Sequence, residues 1–207
     1  MAARPFDVVV WGASGFTGRL VCEHLARDYA GGPVRWAMAG RSRERLEAVR
    51  ADLAARFGAA AAEAPILVGA LDDAPSLDAI AAQTACVLST AGPFLRVGEP
   101  VAEAALRAAA HYVDITGEVP YVARLVEKHH AAAAAAGVRL VPCCGYDSVP
   151  SDLGAWLVVE EFKRRHGAPP ATVKQALIGA RGGVSGGTIA WAWASPRRRS
   201  SRRRTST

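Results

Sequence analysis

Gly12, Gly15 and Gly18 stand at G-x-x-G-x-x-G spacing, directly after the apolar run Val8-Val9-Val10-Trp11 and directly before a helical pattern carried by Leu20, Val21, His24 and Leu25. This arrangement suits a phosphate that must come close to a backbone. A side chain at Gly12 blocks the tight turn, one at Gly15 blocks a pyrophosphate, and bulk at Gly18 pushes helix and strand apart. The free N–H groups and positive dipole end of the helix then face the anion. A strand before and a helix after are the context that makes such a triplet a dinucleotide fingerprint. The candidate cofactor contacts at this turn are Gly12, Ser14, Gly15, Phe16, Thr17 and Gly18.

The second strand, Val34 to Ala39, says which dinucleotide. An acid about 20 residues past the glycines holds the ribose 2′-OH of NAD. Here Gly40-Arg41-Ser42 follows the strand, with no acid beside it. A guanidinium pairs with a 2′-phosphate, which a carboxylate repels. Arg41 therefore points to NADP(H) in preference to NAD(H). Ser42 either donates to the same phosphate or N-caps the next helix. Arg43 and Arg45 read as a solvated helix face.

Three further loops fall at strand ends. Ser89-Thr90-Ala91-Gly92-Pro93-Phe94 is small enough to pass close to a pyrophosphate or nicotinamide ribose, which makes Ser89, Thr90, Ala91, Gly92 and Pro93 candidate cofactor contacts. Asp114, Thr116 and Glu118 follow the fifth strand. They touch nicotinamide or substrate, or Thr116 caps the next helix; the sequence leaves both open. In Cys143-Cys144-Gly145-Tyr146-Asp147-Ser148, the residues Tyr146, Asp147 and Cys144 are the candidates for acid–base work. Ser148 or Ser151 reads as an N-cap, with Pro150 in the first turn.

These loops need a frame that gathers strand ends. Strands at 7–11, 34–39, 66–69, 85–89, 111–115 and 138–141 alternate with helices at 16–29, 42–57, 75–83, 99–110 and 120–136, and a helix at about 152–166 follows. Alternation implies parallel pairing with right-handed crossovers. Apolar runs without polar alternation imply strands covered on both faces. The expected architecture is α/β: a doubly wound parallel Rossmann sheet, with ligands at the carboxyl ends of its strands.

Of 207 residues, 51% are hydrophobic and 21% charged, a globular profile. No apolar run reaches bilayer-spanning length, and there is no signal-peptide layout. The net charge of +6 arises in residues 191–207, which carry six arginines and no acid. Such blocks are expected to be disordered and to bind polyanions unspecifically, and no base-reading motif accompanies this one. A frame change or alternative splice is the expected source of such an end. The four cysteines lack C-x-x-C spacing, and adjacent His129 and His130 do not share a helix face, so no metal is expected. An intracellular, cytoplasmic, reducing setting fits.

Taken in order, Gly12-Ala13-Ser14-Gly15-Phe16-Thr17-Gly18, Ala39-Gly40-Arg41, Ala91-Gly92-Pro93-Phe94, Gly98-Glu99-Pro100-Val101 and His111 to Glu118 resemble the saccharopine dehydrogenase-like oxidoreductases. Gly145 to Asp152 resembles the subgroup that includes the trans-acting enoyl reductases. The resemblance implies an NADP(H)-dependent oxidoreductase acting on a small-molecule or lipid substrate. For a full-length form it implies reduction of an enoyl or carbonyl lipid intermediate, a homodimer, and an association with membranes or lipid droplets. Oxidation of a saccharopine-type amine, and a non-catalytic NADP-binding fragment, are the alternatives. Family members are roughly twice this length, in keeping with two domains. The expected organisation is a cofactor domain at 1–145, the start of a truncated α+β substrate and dimerisation domain at 146–190, with a strand at Thr172–Ile178 and a glycine-rich segment at 182–188, and the tail at 191–207.

Overall fold

The computed structural model describes residues 4–29 and 31–179. The glycine-rich segment 182–188 and the arginine tail lie outside the described residues. Six parallel strands form one sheet: β1 (Phe6–Trp11), β2 (Trp36–Gly40), β3 (Ile66–Val68), β4 (Thr84–Ser89), β5 (His111–Asp114) and β6 (Leu140–Val141). Their spatial order is β3-β2-β1-β4-β5-β6. The chain runs outward from β1 to one edge, returns, and runs to the other. The crevice between the ends of β1 and β4 is the topological switch point, where doubly wound sheets bind ligands.

Helices cover both faces. Val10 and Met38 point to one face, where α1 (Phe16–Asp28) and α2 (Arg43–Phe57) bury Cys22, Leu25, Leu46 and Leu53. Val9, Trp11, Val87 and Tyr112 point to the other, under α4 (Ala74–Ala81), α6 (Glu99–Arg107) and α7 (Val119–Ala136). Alternate residues of β1 thus feed two cores, and an unbroken apolar run is what such a strand requires. Ser42 and Asp73 cap α2 and α4 by accepting from the N–H groups of Arg45 and Ser76. Both satisfy donors that a helix start leaves free.

A short helix α3 (Ala59–Ala62) forms on a run of helix-forming alanines, and a second short helix, α5 (Phe94–Val97), has no counterpart in the sequence reading. The stretch expected as one helix over 99–110 ends at Arg107. Helix α8 (Val149–His166) starts earlier than expected, with Ser148 at the N-cap but no side-chain capping bond. The strand expected at Thr172–Ile178 is not formed: these residues are exposed and belong to no sheet. Apolar β-type residues make a strand only where a neighbour supplies ladder partners. Helix α8 buries none of its residues, and Leu153, Trp156 and Leu157 are each more than half exposed. No helix among the described residues is long and apolar enough to cross a membrane.

Candidate cofactor cleft

A cleft of about 560 Å³ opens at the switch point, within the size range of cofactor sites. One wall is the turn between β1 and α1. Gly12 adopts φ +85°, and a Cβ there would lie 3.0 Å from Ala91 Cβ. Glycine is needed twice over, for the backbone conformation and for the approach of the loop after β4. Thr90 fastens that loop to the turn, its Oγ1 donating to the carbonyl of Trp11 at 3.1 Å. Gly18 does not line the cleft. It is buried, and a Cβ there would strike the backbone of Gly12 and Ala13, so its role is close packing of α1.

Helix α1 has no side-chain cap and no acid in its first turn. Its start lines the cleft through Gly15, Phe16 and Thr17. Three or four N–H groups there have no intrahelical partner, and no side chain caps them, unlike those of α2 and α4. This is the arrangement that suits a pyrophosphate.

Arg41 lines the same cleft at the end of β2. So does Arg45, one helical turn on, an exposed side chain as the solvated reading has it. Among the described residues, neither arginine forms an ion pair with a carboxylate, whereas Arg43 pairs with Glu47. Two uncompensated guanidinium groups beside an uncapped helix start favour a ligand with a phosphate at each place. Ser42 lies outside the cleft lining and caps α2. Ser89 also lies outside it, fully buried, with its Oγ unpartnered. Thr90, Ala91, Gly92 and Pro93 all line the cleft.

The opposite wall comes from the loop after β5. Asp114, Thr116 and Glu118 are nearly inaccessible and bind protein backbone. The Asp114 carboxylate accepts from the Tyr112 hydroxyl at 2.9 Å and from the N–H groups of Thr116 and Cys143 at 3.0 and 3.2 Å. Thr116 Oγ1 accepts the N–H of Glu118 at 3.0 Å. The two Glu118 oxygens accept the N–H groups of Phe94 and Leu95 at 2.7 and 2.9 Å. Burial pushes the Asp114 carboxyl up from its ordinary value. Burial, reinforced by the Asp114 charge, raises the Tyr112 phenol as well. The sequence reading placed these groups toward a ligand or a cap. Thr116 and Glu118 do line the cleft, and the polar atoms of all three accept from backbone N–H groups of the surrounding loops.

Of the three acid–base candidates, only Asp147 lines the cleft. Its carboxylate sits over Gly117 and Gly145, where a Cβ would approach it to 2.7 and 3.1 Å. Tyr146 is 79% exposed and outside the cleft lining. Cys144 turns its thiol to the Val141 carbonyl at 3.3 Å, and burial raises rather than lowers its pKa. A thiol so placed is poorly suited to proton transfer.

Outside the cleft, the fold brings together Glu99, Glu103 and His129, a set with possible metal ligands that the sequence did not connect. Lys128 and Arg124 already contact the Glu99 carboxylate at 2.6 and 3.4 Å, so the cluster is neutralised as an ion-pair network.

The sequence model for the saccharopine dehydrogenase NADP binding domain matches residues 8–141. A protein of Mycobacterium tuberculosis is 42% identical over 188 residues, 90% of this chain and 43% of the relative. The trans-acting enoyl reductase of Mycobacterium bovis is 41% identical over 155 residues, 75% of this chain and 36% of the relative. The chain thus spans less than half the length of these curated relatives. Among solved structures, the apo saccharopine dehydrogenase (L-Glu forming) of Saccharomyces cerevisiae superposes with a TM-score of 0.61 at 20% identity, over 77% of this chain and 32% of that one. This likeness is one of fold.

Proposed function

We propose that this chain, which belongs to the saccharopine dehydrogenase NADP-binding domain family, is the cofactor-holding part of an NADPH-dependent reductase of enoyl substrates. The carrying observation is the joint exposure to one cleft of an uncapped helix start and the unpaired Arg41 and Arg45. The residues suit NADP(H). The N–H groups at the start of α1 take the pyrophosphate, the two arginines take the 2′-phosphate, and Gly12 and Gly15 leave room for both. When bound, NADPH supplies a hydride.

Reduction of an enoyl group adds hydride at the β-carbon and a proton at the α-carbon. The chain must therefore hold the conjugated carbonyl and admit a proton donor. Asp147, which lines the cleft, is the acid–base candidate assigned to that work in this reading. It is exposed and faces the cleft beside Gly117, on the side away from Arg41. The substrate class rests on the enoyl reductase relatives. Residues 1–145 serve as the cofactor domain, and 146–190 as the beginning of a substrate domain, in keeping with the unburied α8. A lipid substrate, a homodimer and a membrane or lipid-droplet location belong to the same reading.

Titration of the chain with NADPH and with NADH, followed by nicotinamide fluorescence, tests the cofactor assignment. Selective NADPH binding is expected, and equal binding of both overturns it. Enoyl-thioester turnover under saturating NADPH then tests the reaction. Binding without turnover assigns the chain a cofactor-holding role alone.

A further inference from the structure

The polar residues on alternate positions after β5 form a continuous buried ladder. Asp114 holds the N–H of Thr116, Thr116 holds that of Glu118, and Glu118 holds those of Phe94 and Leu95. A branch from Asp114 takes the N–H of Cys143, and its carbonyl takes that of Cys144 at 2.7 Å. Three loops, those after β4, β5 and β6, are tied together on one side of the cleft. Glu118 is 5% exposed, with one backbone donor on each oxygen, so its carboxylate is committed to the protein. Charge-assisted bonds of this kind are short and strong, and a buried carboxylate left with one of them is costly.

The sheet order decides which part of a cofactor this ladder serves. Arg41 and Arg45 follow β2, on one side of β1. The loops that Glu118 fastens follow β4 and β5, on the other. A dinucleotide laid across the switch point has its adenosine half toward β2 and its nicotinamide half toward β4 and β5.

We propose that Glu118 is a positioning residue for the nicotinamide half of the cofactor, acting through the Ala91–Phe94 loop that it clamps and held in place by Asp114 and Thr116. The proposal rests on the NADP(H) reading of the cleft. Glu118 seats the loop by its backbone, and the loop forms the wall against which the nicotinamide ribose and ring rest. The adenosine half is held by α1 and the arginines, independently of Glu118.

The test compares two ligands. NADPH fills both halves, whereas adenosine 2′,5′-bisphosphate carries the 2′-phosphate and lacks nicotinamide. Glu118→Gln keeps the shape but sets an amide N–H against a backbone N–H. It is expected to weaken NADPH by about tenfold and to change the bisphosphate by less than about twofold. Thr116→Val is close to isosteric and removes the acceptor for the Glu118 N–H. It is expected to give the same pattern at smaller size, which keeps the test open if Glu118→Gln folds poorly. Parallel loss of both ligands assigns the ladder a general structural role and overturns the proposal. Unchanged affinity for both overturns it too. If the unsubstituted chain binds the bisphosphate and NADPH equally weakly, the NADP(H) reading stands for the adenosine half and the positioning role falls. If it binds neither, the cofactor reading itself fails.

Discussion

The carbonyl oxygen of Gly12 occupies the space where a side chain at Gly18 would begin. Ala13 Cα lies 2.8 Å from the same point. Both obstacles are backbone, so neither can rotate away. Gly18→Ala must lift α1 off the turn, at a cost of about 1–3 kcal/mol for the overpacking. Gly15→Ala meets only the Gly12 carbonyl, at 3.2 Å, and is expected to cost less. Urea denaturation of the two variants ranks them. A Gly18→Ala protein as stable as the parent contradicts this packing.

Arg41 carries the selectivity for the phosphorylated cofactor. Arg41→Asp replaces a charge-assisted contact by repulsion and is expected to weaken NADPH by about 1.5–3 kcal/mol, with NADH little affected. Arg45→Ala acts in the same direction, and less. Fluorescence titration of each variant with both cofactors gives the comparison. Equal losses for NADPH and NADH remove the 2′-phosphate from Arg41.

Asp114 gives stability an unusual pH dependence. Burial raises its pKa in the folded chain above the ordinary 3.8. Its contribution is therefore fully present below the unfolded value and is lost as pH rises through the folded one. Asp114→Asn removes the titration while keeping an acceptor for Thr116 and Cys143. Its amide can donate to the Tyr112 oxygen, whose proton then turns to Tyr121, 3.0 Å away. The stability of the variant relative to the parent is expected to be better at about pH 7 than at about pH 4. Denaturation curves at both values decide it, and a pH-independent difference rules it out.

Thiol reactivity follows burial. Cys22 is fully buried, and desolvation pushes its thiol up to about 12. Cys86 is pushed to about 11, with desolvation again the main cause. Cys144 is exposed. Iodoacetamide at about pH 8 is expected to modify Cys144 first and Cys22 last, since only thiolate reacts. Peptide mass spectrometry after timed quenching gives the order. Early labelling of Cys22 contradicts its burial on the sheet-facing side of α1.

The alternation of strands and helices was legible because the central strands β1 and β2 are apolar on both faces and several helices carry their own punctuation. Ser42 before α2, Pro75 in the first turn of α4 and Gly137 after α7 are local signals. Arg41 at the end of β2 was legible for the same reason. Helix α5 was not, because its start is held by Glu118, 24 positions further along the chain. No local pattern announces a cap supplied from so far away. The hydrogen-bonded ladder was not read from the sequence, which left ligand contact and a cap open for these residues. One signal was present: Tyr112, Asp114, Thr116 and Glu118 keep the period of a strand whose alternate residues are buried, and buried loop N–H groups nearby need acceptors. Arg45 was read as a solvated helix residue, and its lining of the cleft as well was not read from its position on α2.

Helix α8 has 18 residues, none buried. Its order rests on local terms, chiefly the pairs Lys163–Glu160 and Arg164–Glu161 near its end. Local terms alone hold a helix of this length only marginally. Its amide protons should therefore exchange with solvent through brief fraying and re-winding that leaves the sheet untouched. Amides of β1 and β4, at the centre of the sheet, wait instead for global opening. The chain then has two clocks, one read at Leu157 and the other at Val9 and Val87.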